Sequence, residues 1–186
     1  ILGQAADWLS AGKEVALATV IDTWGSSPRP VGSQLAVDND GTFVGSVSGG
    51  CIEGAVIEEA MGSISDGQTR VLDFGVTNEQ AWEVGLACGG SIKIFIEKAN
   101  ARQTLSLLTD DRPLASVTDI ESGAHSFVSV EKVEGELALS EEMLGNVRQA
   151  VRDDRSKIYK VDNQSFFAQV FNKPLRMLIV GAVHIS

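Results

Sequence analysis

The stretch TWGSSPRPVGSQ, residues 23–34, constrains this chain more than any other. Two glycines, two prolines and three serines within it rule out a helix or a central strand. It is flanked by EVALATVID (14–22), an apolar run of strand length, and by QLAVDNDGTFVGSV (34–47). The latter reads as a hairpin turning at Asn39-Asp40-Gly41. The fold must therefore place a long, irregular loop at the end of a buried strand.

Elsewhere the pattern alternates. Leu2, Ala5, Ala6 and Leu9 have helical spacing, and Gly12 ends that helix. Cys51 to Ser65 reads as a helix with Ile52, Val56, Ala60 and Ile64 on one side and Gly50 as its cap. TRVLDF (69–74) reads as a strand, NEQAWEV (78–84) as a short helix and SIKIFIEK (91–98) as a strand. A helix over 99–109 follows, with strands near 114–120 and 126–133, a short one at 136–139, a helix over 140–153, and strands near 157–161 and 165–171. No repeat is legible. This order predicts an α/β or α+β fold, with a mixed β-sheet flanked by helices. PLRMLIVGAVHIS (174–186) looks like the opening strand of a second α/β unit. The expected division is a domain over 1–174 and a truncated start of another over 175–186.

Charge and cysteine content narrow the function. With 15 basic and 25 acidic residues the formal charge is −10, which argues against a phosphate-backbone binder. No run approaches a membrane span, and no signal peptide is visible, so the expected compartment is the cytoplasm. Two cysteines and two histidines, scattered, suit neither a disulfide framework nor structural zinc.

Three Gly-rich segments stand at strand ends: WGSSPRPVG (24–32), SGGCIEG (48–54) and GLACGGS (85–91). Glycines there let backbone approach a ligand closely. Cys51 after Gly49-Gly50 would sit at a helix N-terminus, where thiolate is favoured and free amides suit a phosphate. Arg29, between two prolines, offers a planar fork to an anion. The plain readings stand beside these. Cys51 fits equally a small buried hydrophobe. Glu53 suits a carboxylate bonded back to the cap amide better than a general base. Arg29 fits a solvated charge, Ser26 and Ser27 fit turn formers, and His125 fits a surface turn. Neither cysteine has a local base, which weakens a nucleophilic triad.

At these segments the chain resembles the XdhC/CoxI family, accessory proteins of xanthine dehydrogenase and related molybdenum hydroxylases. The resemblance rests on TWGSSPRPVGSQLAV, GTFVGSVSGGCIEGAVIEEA and VGLACGGSIKIFIE, in that order. It implies a protein that binds molybdenum cofactor (molybdopterin) as cargo. Such a protein holds the cofactor while a cysteine desulfurase supplies its sulfido ligand, then passes it to the hydroxylase apoenzyme. Cys51 and Cys88 match the family's cysteine motifs and become the expected molybdenum contacts. Gly49, Gly50, Ser27, Arg29, Gly89 and Gly90 complete the expected cofactor site, in one protomer or across a homodimer. The tail resembles the family's C-terminal Rossmann-like domain, with Val183 where a second glycine is expected. The rival expectation is a thiol oxidoreductase or sulfurtransferase, with Cys51 as nucleophile and Cys88 as resolving thiol.

Overall fold

The structure, a computed structural model, describes residues 1–75, 90–109 and 112–172. Its first half runs α1 (Leu2–Ser10), β1 (Val15–Trp24), β2 (Gln34–Asp38), β3 (Phe43–Gly45), α2 (Glu53–Asp66), β4 (Arg70–Phe74) and β5 (Ser91–Lys98). The strands form a sheet in the order β3-β2-β1-β5-β4, every neighbour antiparallel. β1 is buried from Val15 to Ile21, apolar there except for Thr19, because both its faces are covered. Ala16, Ala18 and Val20 meet Val56, Ala60 and Ile64 of α2. Val15 and Leu17, pointing the other way, meet Ala5 of α1. α2 ends at Gly67 in the left-handed conformation, which relieves its last carbonyls.

The second half repeats this plan. It runs α3 (Ala101–Thr109), β6 (Leu114–Asp119), β7 (His125–Ser129), β8 (Val133–Gly135), α4 (Glu141–Asp153), β9 (Lys157–Val161) and β10 (Gln164–Phe171). The sheet order is β8-β7-β6-β10-β9, again antiparallel throughout. Met143, Leu144, Val147 and Val151 of α4 bury against Val117, Val128 and Phe166. Strand register matches the halves residue by residue. Thr19 pairs with Gln34 and Phe95, and Thr118 pairs with His125 and Phe167. Likewise Leu17 faces Glu97 where Ser116 faces Gln169. The matched Phe95 and Phe167 meet in a small core with Ile21, flanked by Ile120. This core joins the two halves.

The expected α+β character holds, but the single mixed sheet is two antiparallel ones among the described residues. Four local expectations are corrected. The helix expected from Cys51 begins at Glu53 with Ile52 as its cap residue, so Gly50 and Cys51 lie outside it. The strand expected over 126–133 is broken by a turn, where the Ser129 hydroxyl accepts from the Lys132 amide at 3.0 Å. Its return strand is β8, and 136–139 forms no strand. His125, expected on a surface turn, opens β7 with its ring largely covered. The helix expected over 78–84 and the segment 175–186 lie outside the described residues.

Candidate functional site

In the first half, the connections β1 to β2, β3 to α2 and β4 to β5 all leave the same end of the sheet. Antiparallel pairing requires it: β1, β3 and β4 end where β2 and β5 begin. These connections are the three Gly-rich segments. Their contacts show how near they lie. A Cβ added to Gly49 would stand 3.7 Å from the Pro28 side chain, and one on Gly90 would stand 2.7 Å from the Trp24 carbonyl and 3.0 Å from that of Ser26. Gly90 is thus wedged against the first loop, and the Gly49 turn borders it. Within that loop the Ser27 hydroxyl donates to the Arg29 carbonyl at 3.0 Å, and the Arg29 side chain is exposed. Trp24, 74% exposed, closes β1 beside them. Sequence reading passed over it as part of a loop motif.

The loop 46–52 is organised by Glu53. Its Oε1 accepts from the Ser46 hydroxyl at 2.6 Å and from the amides of Val47 and Ser48 at 3.2 and 2.9 Å. Its Oε2 accepts from the Gly50 amide at 2.8 Å and from the Ser48 hydroxyl. The Ser48 oxygen in turn accepts from the amides of Cys51 and Ile52, each at 3.1 Å, and the Ser46 oxygen from Gly49 at 2.9 Å. One buried carboxylate therefore gathers the turn, directly or through two hydroxyls. Burial alone would raise the Glu53 pKa, but the Ser46 and Ser48 hydroxyls and the Ser48 amide outweigh it and hold it at about 2.

This arrangement changes two expectations. The amides of Gly49, Gly50, Cys51 and Ile52 are all engaged within the loop, so they are not the phosphate cradle that the sequence suggested. Cys51 is an exposed, free thiol, not a buried filler. The expected back-bond from Glu53 to the Gly50 amide is present, and it is one of five that this carboxylate accepts. Cys88 and Gly89 lie outside the described residues. Of the remaining expected site residues, the structure brings Ser27, Arg29, Gly49, Gly50, Cys51 and Gly90 to one end of one sheet.

Residues 8–75 match the XdhC and CoxI family, so the resemblance drawn from the motifs is shown over the segment that carries Arg29 and Cys51. Among individual relatives, the chain is 35% identical over 105 residues to the molybdenum cofactor insertion chaperone PaoD of Escherichia coli, covering 56% of this chain and 33% of that protein. It is 26% identical over 126 residues to a protein of Bacillus subtilis described as a probable xanthine dehydrogenase component, covering 63% of this chain and 38% of that one. A solved structure described as a xanthine dehydrogenase from Bacillus halodurans shares the fold, with a TM-score of 0.66 at 20% identity over 92% of this chain and 52% of the other. The chain thus spans only 33% and 38% of the lengths of the two curated relatives. Among the described residues, no helix is long and apolar enough to cross a membrane.

Proposed function

We propose that this chain is the cofactor-binding part of an accessory protein that carries molybdenum cofactor as cargo for a molybdenum hydroxylase. The observation that carries the reading is the Cys51 turn. An exposed thiol is held on a loop whose donors are fixed by Glu53, beside a second loop bearing Arg29. The relative named as a molybdenum cofactor insertion chaperone supports it. A soft metal centre accepts a thiolate ligand, and a fixed loop lowers the ordering cost of presenting one. In this reading Arg29 takes the cofactor phosphate, since the Gly49-Gly50 amides are engaged, and Trp24 offers a flat face to the pterin. Ser27 shapes the Arg29 loop, and Gly90 lets the third segment close against it. Cys88 and Gly89, which the motifs also mark, are further contacts for the cargo in this reading. Cys51 or Cys88 holds the metal, or takes part in sulfuration by a cysteine desulfurase. Residues 1–174 form the binding domain and 175–186 begin a Rossmann-like one.

The test is cofactor retention. Purified chain is loaded with molybdenum cofactor, and bound molybdenum is measured together with the pterin absorbance. Cys51→Ala should lower retention at least tenfold without moving the melting temperature. Arg29→Ala removes a charge-assisted bond and should weaken binding by roughly ten- to hundredfold. Unchanged retention in both variants would sink the reading.

A further inference from the structure

The matched halves meet along two matched seams, and the two are built differently. At the first, Gln34 Nε2 donates to Gln169 Oε1 at 3.4 Å, and Gln169 Nε2 donates to the Gly32 carbonyl at 3.2 Å. Gly32 lies against Ser156 there. In the register of the sheets, His125 corresponds to Gln34, Glu97 to Gln169, Gly123 to Gly32 and Thr69 to Ser156. At the second seam Gly123 again lies against Thr69. The polar pair above them does not close. Glu97 Oε2 stands 3.7 Å from His125 Nδ1, too far for a hydrogen bond, and neither buried ring nitrogen of His125 has a hydrogen-bond partner among the described residues. A cleft of about 640 Å³ opens over this pair, with Phe127 in its wall.

We propose that this second seam is a binding site for a flat, N–H-rich cation of the guanidinium or amidinium class, with Glu97 and His125 as its acceptors. The site lies at the end of β5 opposite Ser91 and the Cys51 loops, roughly 20 Å along the strand, and it does not depend on the function proposed above. Glu97 and a neutral imidazole offer a carboxylate and a ring nitrogen as acceptors, and Phe127 offers an aromatic face. The charged groups around the pair are few. Glu134, paired with Lys132, and Glu136 line the cleft from β8 and just beyond. Lys98, on β5 itself, donates to Glu14, and Arg102 stands on α3. The neighbours Leu17 on β1 and Thr69 before β4 carry no charge. Burial raises Glu97 to about 7, and burial also lowers His125. The bound cation would draw Glu97 back to its ionised form.

The test is a nuclear magnetic resonance titration of the full chain with methylguanidinium, using urea as a neutral molecule of similar shape. Methylguanidinium should shift the amides of Glu97, His125 and Phe127 saturably, and urea should not. Glu97→Gln should weaken binding at least tenfold. Should that variant fail to fold, the wild type still decides: with Glu97 near 7, affinity should rise roughly tenfold from pH 6 to pH 8. Agmatine binding more tightly than an arginine tripeptide would assign the cation to a free small molecule. The reverse order would assign it to an arginine side chain of a partner. Equal shifts with urea, a pH-independent affinity, or shifts confined to other residues would overturn the proposal.

Discussion

The two halves of this chain share element order, strand order and register, yet they differ in their connections. Between β1 and β2 the first half spends residues 25–33, where the second turns through 120–124. Between the third strand and the helix the spans are 46–52 and 136–140, and between the last two strands 75–90 and 162–163. The second half uses economical devices at these places. Asp162 and Asn163 both take positive φ, as a type I′ hairpin turn requires, and Ser140 caps α4 by accepting from the Met143 amide. The first half has lengthened all three connections at one end, and it replaces the ordinary cap with the Glu53 clamp. One half keeps plain turns there, while the other gathers the three Gly-rich segments at that end.

That contrast can be broken by measurement, and the largest effect should come from the clamp. Glu53→Ala strands several buried donors and should cost about 3 kcal/mol or more in urea unfolding. A loss below about 1 kcal/mol would mean that the loop stands without it. The same clamp sets an acid limit. The folded pKa of Glu53 is lowered, so its contribution is complete above the ordinary value of 4.5 and is lost as pH falls toward about 2. Acid unfolding of Glu53→Gln should lack that component.

Next come Gly45 and Gly135, matched in register at the ends of β3 and β8. Both have positive φ, and an added Cβ would lie 2.3 Å from the Gln34 carbonyl oxygen in one case and 2.5 Å from that of His125 in the other. Alanine at either should cost about 2 kcal/mol. Similar losses would extend the match from geometry to energetics, and a loss at only one would end it. Ser140→Ala should cost about 1 kcal/mol by thermal unfolding, well short of Glu53→Ala. Cys51→Ser, at an exposed position, should change stability by less than about 0.5 kcal/mol.

The sequence showed the strands and helices wherever one period ran long enough. β1, β5, α1, α4 and the β9–β10 hairpin were legible, as was the apolar stripe of α2. The start of α2 was misplaced because a carboxylate reaching backwards from Glu53 holds the preceding turn, so the cap position falls to Ile52 and not to Gly50. The match between the halves was hidden because it lies in spacing and not in residue identity. Thr19 and Thr118 agree, but Gln34 answers to His125 and Glu97 to Gln169. For the same reason the second seam escaped notice. Glu97 reads as an outward residue of an alternating strand, and His125 as a turn residue, until the other half is laid against them.

The strand order has a consequence for synthesis. In each half the last strand made, β5 or β10, takes its place beside the first and separates it from the fourth. While the nascent chain grows, one edge of β1 stays unpaired until Lys98 has left the ribosome, although its apolar residues are already present. A ribosome stalled before β5 would display an open, sticky edge of the sort that recruits chaperones. β6 repeats the wait until β10 arrives. Each half therefore becomes safe in a single late step, and a chain cut short before that step is the form most prone to aggregate.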